Sequence, residues 1–397
     1  MSITAAKGFV AGGLACGIKE SGAPDLAVVA NETRVPVVAA GVFTTNLVQA
    51  APVQVSRAHL ADGHAVAVVL NSGNANAATG EKGRQDARRM AALTAEGLGV
   101  APADVLVCST GLIGIPMPMD ALETGIPKLC GQVAREGGAA AAEAIMTTDT
   151  VAKQAVERVD AYGTTITLGA MAKGAAMLSP AMATMLAVVT SDVAITPGVL
   201  QRSLADAVAQ SLDCLIVDGS RSTNDTVLVL ANGEAGNLLI SDEKSAEARV
   251  FTDALTRVCA SLAEQMARDA EGATKFVRVE VAGARSDADA RIAARAVANS
   301  QLVQCSLNGG DPYWGRILSE LGASGAHLDP EQVDIAYKGV DVCRDGVAHP
   351  HDEAALVRAM AERDITISCD LHLAHGRATV LTTDLSHAYI DENRRTS

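Results

Sequence analysis

Short apolar runs of strand length alternate with longer stretches of helical periodicity, and polar, glycine-containing turns separate them. Apolar runs of about four to eight residues bounded by turns are typical of buried strands, whereas apolar residues three or four positions apart are typical of helices. We therefore predict helices at 82–98, mainly helix over 121–145, a helix beginning near Thr196, and one long helix at 243–270. We predict strands at 25–29, 36–46, 65–70, 104–111, 163–172, after Thr184, and at 227–230, 276–281 and 370–373.

This order of elements favours an α/β fold with mixed sheets packed against helices. A short turn separates the first two strands, so we expect them to pair as antiparallel neighbours. No repeat, low-complexity tract or clear linker divides the sequence.

Composition narrows the possible partners. The 397 residues are 49% hydrophobic and 20% charged, which fits a globular protein with a sizeable core. The formal net charge of -14 argues against binding nucleic acid or an anionic membrane surface. No apolar run reaches the roughly 18 residues of a membrane span, and the first residues lack the order of a signal peptide. We expect a cytoplasmic protein.

Cysteine and histidine give no sign of a metal site. The eight cysteines form no Cys-x-x-Cys pair, and we expect reduced, mostly buried thiols. His349 and His351 flank a proline in what we interpret as an exposed loop. His372 and His375 are three residues apart, but we place His372 on a strand, where this spacing does not bring ligands together. We predict no bound metal.

The stretch from Lys173 to Leu186 carries the strongest chemical signal. Thr184 follows a proline-containing segment and precedes an apolar, β-branched run. One interpretation is an ordinary strand threonine. The other is a nucleophile, which requires an adjacent base. A chain N-terminus would supply that base, since a free α-amine has a pKa of about 7.7–8.0. Thr184 gains such an amine only if the peptide bond after Ala183 is cut.

Several predicted strands end in polar turns. The loop at 71–80 precedes a helix, as a phosphate cradle would, but we favour a turn stabilised by asparagine side chains. Thr110 and Gly111 end another strand, where a hydroxyl and a backbone N–H are the donors that an oxyanion hole needs. The segments 145–150 and 217–226 are also predicted as turns.

Lys173-Gly174-Ala175-Ala176-Met177-Leu178-Ser179-Pro180-Ala181-Met182-Ala183-Thr184-Met185-Leu186 resembles the self-cleavage signature of the ornithine acetyltransferase family, glutamate N-acetyltransferases of arginine biosynthesis. The sequence departs from that signature at Ala176 and, conservatively, at Leu178. The resemblance extends from about residue 8 to the end. It implies a fold with two subdomains and a cut that gives an alpha chain, 1–183, and a beta chain, 184–397.

The resemblance also implies roles for individual residues. Thr184 is the nucleophile, and Thr110 and Gly111 form the oxyanion hole. The substrate-binding residues are Thr150, Lys173, Thr184, Glu271, Asn393 and Ser397, with Thr396 an open alternative to Ser397 at the terminal contact. Tyr313 stands where the family has asparagine, and we interpret the adjacent Trp314 as a partly buried anchor.

The implied reaction moves the acetyl group of N-acetylornithine to glutamate through an acetyl-Thr184 ester. It requires no cofactor, and the sequence leaves open whether acetyl-CoA is a second donor. The cut chains would stay associated, as an α2β2 heterotetramer. Two alternatives remain open: a self-cleaving hydrolase such as an aminopeptidase, and a non-catalytic α/β binding protein in which Thr184 is a strand residue and the chain stays whole.

Overall fold

A computed structural model describes residues 2–161, 163–176 and 185–394. The chain divides into two compact units. The first unit comprises Met1–Asp213 and Ser220–Met266, and the second comprises Cys214–Gly219 and Ala267–Ser397. The prediction of two subdomains is confirmed. The predicted cut after Ala183 lies outside the described residues and stays a prediction.

The strands of the first unit form two sheets. They are β1 (Phe9–Leu14), β2 (Leu26–Asn31), β3 (Val37–Phe43), β4 (His64–Ala65), β5 (Ala67–Asn74), β6 (Val105–Leu112), β7 (Lys153–Ala161), β8 (Thr164–Lys173), β9 (Leu186–Ser191) and β10 (Thr226–Ala231). In the part of the chain that the structure describes, one sheet has the order β1-β2-β5-β6 and the other β4-β3-β10-β9-β8-β7. Parallel pairs (β5 with β6, β9 with β10) occur beside antiparallel ones, so both sheets are mixed.

The helices of the first unit are α1 (Ala51–His59), α2 (Gly80–Leu98), α3 (Met119–Cys130), α4 (Gly138–Ala144), α5 (Pro197–Gln210) and α6 (Ala246–Arg268), whose last two residues belong to the second unit. One core lies between the sheets, since it contains side chains of β2 and β5 together with side chains of β8, β9 and β10. A second core joins the first sheet to α1, α2 and α3. Most side chains in both cores are aliphatic or alanine, as expected from a sequence with only 2% aromatic residues.

The second unit is one mixed sheet with helices. Its strands are β11 (Phe276–Ala284), β12 (Asp334–Tyr337), β13 (Val340–Arg344), β14 (Val347–Ala348), β15 (Asp364–Asp370) and β16 (Gly376–Thr383), in the order β14-β13-β12-β15-β11-β16. Its helices are α7 (Asp287–Ala298), α8 (Gln301–Asn308), α9 (Trp314–Ala323), α10 (Glu353–Ala361) and α11 (His387–Asn393). Trp314 is partly buried against this unit's core, as predicted. The predicted α/β class with mixed sheets is confirmed.

The expected pairing of the first two strands is wrong. β2 pairs with β1 and β5, whereas β3 pairs with β10 and β4, so the connection between them passes from one sheet to the other. Arg34 has φ 61° in that connection. Side chains of β2 and β3 meet in the core between the sheets. A strand buried on both faces gives no sequence signal that distinguishes a neighbour within its sheet from one across the core.

Two other boundaries differ from the prediction. The helix predicted over 121–145 is interrupted between α3 and α4, because Ala134 exchanges two backbone hydrogen bonds of 2.9 Å with Ala11 of β1. The strand predicted at 370–373 ends at Asp370. His372 has φ 51°, and its N–H donates to the Asp370 carboxylate at 2.9 Å, so His372 lies in a turn.

Candidate active site

The predicted Thr-Gly pair ends one of two neighbouring parallel strands. Gly73 of β5 lies opposite Gly111 of β6, and Ser72 lies opposite Thr110. Thr110 is buried and Gly111 is exposed. Gly111 has φ +138°, and a Cβ atom there would lie 2.2 Å from the carbonyl carbon of Gly73. Only glycine fits so close an approach of two backbones in this conformation.

Lys173 connects this strand end to the second sheet. It is the last residue of β8, where antiparallel pairing places it opposite Leu186 at the start of β9. Its Nζ lies 2.6 Å from the Thr147 hydroxyl and 3.4 Å from the Thr110 hydroxyl. The structure therefore brings two of the predicted site residues, Thr110 and Lys173, into hydrogen-bond contact.

Asp149 holds two buried ammonium groups. Its Oδ1 lies 2.5 Å from Nζ of Lys153 and accepts the N–H of Gly174 at 2.8 Å, and its Oδ2 lies 3.8 Å from Nζ of Lys173. Burial by itself raises the pKa of Asp149, but the positive charges of Lys173 and Lys153 outweigh it and hold the pKa at about 2. A carboxylate that stays ionised at neutral pH therefore fixes the end of β8. No motif in the sequence indicated a role for Asp149 or Lys153.

Thr150 follows this carboxylate directly. It is exposed, whereas Asp149 is buried. The Thr147 N–H donates to Asp149 at 3.0 Å, which closes the predicted threonine-rich turn. The turn places exposed Thr150 next to the residue that anchors Lys173.

The segment after Thr184 begins at the same edge of the second sheet. Thr184 and Ala183 themselves lie outside the described residues. Met185 follows Thr184 in the sequence, and its N–H donates to Oδ1 of Asp225 at 2.8 Å. In return, the Met185 carbonyl accepts the N–H of Thr226 at 3.2 Å. The starts of β9 and β10 are thus held side by side, next to the end of β8.

Asn224 ties this edge to the first sheet. Its Nδ2 donates to the carbonyl of Ala75 at 2.6 Å and to that of Ser109 at 2.8 Å. Ser109 immediately precedes Thr110, so Asn224 fixes the backbone next to the predicted oxyanion-hole residues. The interpretation of 217–226 as a turn did not identify this contact. A polar Asn-Asp pair directly before an apolar strand was the available signal.

The loop at 71–80 is held by its asparagine side chains. Nδ2 of Asn71 donates to the carbonyl of Asn74 at 2.9 Å, and Nδ2 of Asn74 donates to that of Pro116 at 2.9 Å. Asn76 donates to the carbonyl of Gly83 at 2.9 Å. These contacts agree with the turn interpretation that the sequence favoured over a phosphate cradle.

Two further predicted residues meet in the second unit. Nδ2 of Asn393 donates to Oε2 of Glu271 at 2.8 Å. In the same unit the Tyr389 hydroxyl donates to Asp218 at 3.1 Å, and burial together with Asp218 raises the pKa of Tyr389. The structure therefore brings Glu271 and Asn393 together. Ser397 and Thr396 lie outside the described residues.

Within residues 2–161, 163–176 and 185–394, no group of three or more His, Cys, Asp or Glu side chains is placed to hold a metal ion. No helix in those same ranges is long and apolar enough to cross a membrane.

Comparison with known proteins identifies the family. The model of the ArgJ family matches residues 10–396. The chain belongs to the ArgJ family. A curated ArgJ-family relative, the arginine biosynthesis bifunctional protein ArgJ of Symbiobacterium thermophilum, is 49% identical over 98% of this chain and 97% of its own length. The protein of the same name from Streptomyces coelicolor is 45% identical over 99% of both chains.

A solved ArgJ structure is similar to about half of this chain. The arginine biosynthesis bifunctional protein argJ of Bacillus halodurans aligns with a TM-score of 0.50 and 33% identity. The alignment covers 96% of that crystal chain and 52% of the present chain, so that chain is about half as long as this one. The family predicted from the stretch at Lys173 to Leu186 is confirmed.

Proposed function

We propose that this ArgJ-family chain acts in arginine biosynthesis by transferring the acetyl group of N-acetylornithine to glutamate, through an ester on Thr184. The observation that carries the proposal is the 3.4 Å contact between Lys173 and the Thr110 hydroxyl, at the edge where the residue following Thr184 enters its strand. The proposed oxyanion donor Thr110 and the cation Lys173 thus lie near Leu186, a described residue close to the start of the predicted beta chain. The curated relatives of nearly equal length are named arginine biosynthesis bifunctional proteins.

Self-cleavage prepares the enzyme. The Thr184 hydroxyl attacks the carbonyl carbon of Ala183, a C–O bond forms, and the C–N bond to Thr184 breaks with transfer of the hydroxyl proton to nitrogen. Water then hydrolyses the ester, which leaves a carboxylate on Ala183 and restores the hydroxyl. The half-length crystal chain of the Bacillus halodurans relative supports a cut of this kind.

Acetyl transfer uses the amine released by the cut. The α-amine of Thr184 takes the hydroxyl proton while Oγ attacks the acetyl carbonyl of N-acetylornithine. The Thr110 hydroxyl and the Gly111 N–H stabilise the oxyanion, and the proton passes to the departing nitrogen of ornithine. The amine of glutamate then attacks the acetyl ester, so that N-acetylglutamate leaves and Thr184 is restored.

Charged groups recognise the amino-acid substrates. An amino acid carries a carboxylate and an ammonium, and a lysine and a glutamate are complementary to them. Lys173 is a buried cation of the first unit, and Glu271, bonded to Asn393, is an anion of the second. Thr150 and Ser397 complete the proposed substrate contacts. We place the two cut chains in an α2β2 assembly, and a cytoplasmic location stays the expectation given by the sequence.

The test is an assay of products with N-acetylornithine as donor, with and without glutamate. The wild type should release ornithine and form N-acetylglutamate in equal amounts, and only when glutamate is present. Thr184→Ala should stay uncut and inactive, whereas Ser179→Ala, a hydroxyl removed from the same segment, should be cut and active. Acetate formed without glutamate would support the hydrolase, and an uncut, inactive wild type would support the binding protein. The same assay with acetyl-CoA as donor tests the second activity.

A further inference from the structure

Lys19 is a half-buried cation that the proposed mechanism does not use. It lies in the connection between β1 and β2. Its Nζ donates to the carbonyl of Pro24 at 2.6 Å and to the carbonyl of Met146 at 2.7 Å. Both acceptors are neutral, and no carboxylate of the described residues forms an ion pair with Lys19. An ammonium has three N–H donors, so within the described part of the chain one of them is left for a further acceptor.

The backbone that carries Lys19 is fixed by the buried carboxylate of Asp25. That carboxylate accepts the N–H groups of Cys16 at 2.7 Å, Gly17 at 3.2 Å, Ile18 at 2.7 Å and Lys19 itself at 3.0 Å. The connection therefore holds the Lys19 side chain in place before any ligand arrives. A binding group held in this way loses little conformational entropy when it binds.

The Lys19 side chain lies beside the proposed oxyanion hole. A Cβ atom on Gly73 would lie 3.2 Å from Cγ of Lys19, and Gly73 lies opposite Gly111 in the sheet. The far end of the side chain reaches Met146. The next residue, Thr147, accepts a hydrogen bond from Nζ of Lys173 at 2.6 Å. Lys19 thus extends from the end of β5 to the turn that holds Lys173.

The positive charge of Lys19 is not neutralised by its neighbours. Burial lowers the pKa of Lys19, the carboxylates of Asp25 and Asp149 counteract this only in part, and the positive charge of Lys173 lowers it further. Asp149 already faces the ammonium groups of Lys153 and Lys173, so its single charge cannot neutralise Lys19 as well. An anion bound between Lys19 and Lys173 would relieve their repulsion.

The chemistry of the substrates identifies that anion. In N-acetylornithine one nitrogen and the Cα atom join the acetyl carbonyl carbon to the α-carboxylate, so the carboxylate oxygens lie within about 5 Å of that carbon. An acetyl group placed in the proposed oxyanion hole therefore brings the α-carboxylate to the same strand ends. Glutamate and both products carry an α-carboxylate as well.

We propose that Lys19 binds the α-carboxylate of the amino-acid substrates, beside the acetyl group held at Thr110 and Gly111. The inference rests on the proposed function, which places an acetylated α-amine at that pair. Lys19 then selects amines that carry a carboxylate on the adjacent carbon. The contact is a charge-assisted hydrogen bond from the N–H donor that the two carbonyls leave over.

The test compares the binding of ornithine and ornithinamide, which differ in the charge of the carboxyl group. Calorimetry gives both Kd values for the wild type, Lys19→Met and Lys19→Arg. The wild type should prefer ornithine. In Lys19→Met this preference should fall about 10- to 100-fold, as expected for the loss of a hydrogen bond between charged groups. Lys19→Arg keeps the positive charge and should retain most of the preference.

Lys275→Met is the matched control. Nζ of Lys275 donates to the carbonyls of Met360 at 2.9 Å, Ala361 at 3.2 Å and Glu362 at 2.8 Å, so this variant also removes an ammonium held by backbone carbonyls. It should leave the preference for ornithine unchanged. An unchanged preference in Lys19→Met, an equal fall in Lys275→Met, or an equal fall in Lys19→Arg would overturn the inference.

An acetyl-transfer assay on the same preparations separates this inference from the proposed function. A wild type whose preference depends on Lys19 but which transfers no acetyl group would support the role of Lys19 and refute the proposed function. A wild type that transfers acetyl groups while Lys19→Met keeps the full preference would overturn only the role of Lys19. A wild type that binds ornithine no better than ornithinamide would also overturn it.

A measurement on the wild type alone decides the case in which Lys19→Met does not fold. Formaldehyde and cyanoborohydride methylate lysine amines, and peptide mass follows the rate at Lys19 and at Lys275. N-acetylglutamate, which has no amine, should slow methylation of Lys19 but not of Lys275. N-acetylisoglutamine, in which an amide replaces the α-carboxylate, should protect Lys19 much less. Equal protection by the two compounds, or none by N-acetylglutamate, would overturn the inference.

Discussion

Lys153 donates a 2.5 Å hydrogen bond to Oδ1 of Asp149, and neither side chain has solvent-exposed surface. Removing one partner of a buried pair leaves the other charge uncompensated, at a cost of about 3–5 kcal/mol. We predict that Asp149→Asn lowers the free energy of unfolding by about that amount in urea titrations. Asp206→Asn, which breaks the exposed pair with Arg202, should change it little. Equal stabilities of Asp149→Asn and the wild type would contradict the buried pair.

The same carboxylate predicts a pH dependence of stability. The pKa of Asp149 is lowered to about 2 in the folded protein, against about 3.9 in an unfolded chain. Because the folded protein favours the ionised form of Asp149, the carboxylate contributes on the order of 2 kcal/mol to the free energy of unfolding above about pH 4. This contribution is lost as the pH falls toward 2 and the carboxylate is protonated. Urea midpoints measured between pH 5 and about 2 should fall more steeply in the wild type than in Asp149→Asn. Parallel curves would show that Asp149 is not the group that titrates.

Removal of the Thr110 hydroxyl tests the oxyanion hole. Thr110→Val keeps the shape of the side chain and deletes the donor. Loss of one such donor typically lowers kcat about 100- to 1000-fold. Thr94→Val is the matched control, because the buried Thr94 hydroxyl donates to the Met90 carbonyl of its own helix. A Thr110→Val enzyme as active as Thr94→Val would exclude Thr110 from stabilising the oxyanion.

Glu271 should act on substrate binding. Glu271→Gln keeps the size of the side chain but removes the charge proposed to meet a substrate ammonium. We predict that the KM for N-acetylornithine, whose side-chain ammonium stays free throughout the reaction, rises by roughly tenfold or more and that kcat falls less, since hydrogen bonds to charged groups contribute about 1.5–3 kcal/mol. Glu280→Gln, on an exposed position of β11, serves as control and should leave both constants unchanged. An effect of Glu271→Gln on kcat alone would contradict a binding role.

Helices and strands whose formation depends on residues close in sequence could be predicted from the hydrophobic pattern. The helix expected at 82–98 is α2, the long helix at 243–270 is α6, and the strand after Thr184 is β9, buried along its whole length. The pairing of β2 with β3 failed because sheet membership depends on contacts distant in sequence. The break between α3 and α4 has the same origin, since Ala134 pairs with Ala11 of a strand far away in the chain.

The residues of the candidate site show the same difference between local and distant determinants. Lys173, Thr110 and Glu271 could be predicted as site residues because a family signature consists of consecutive residues. Asp149 and Asp225 were missed because their importance arises from burial and from partners such as Lys173 and Met185, which only the folded chain brings near. Sequence spacing does not show which of the many carboxylates is buried against an ammonium or a strand start.

The most direct test of the account is the mass of the chain that begins at Thr184 during turnover. The wild type is mixed with N-acetylornithine without glutamate, quenched in acid and analysed as intact chains and as N-terminal peptides. The account predicts a chain starting Thr-Met-Leu-Ala that carries one acetyl group on the Thr184 hydroxyl and loses it when glutamate is added before the quench. An active enzyme with a whole chain, or with no acetyl group on Thr184, would contradict it.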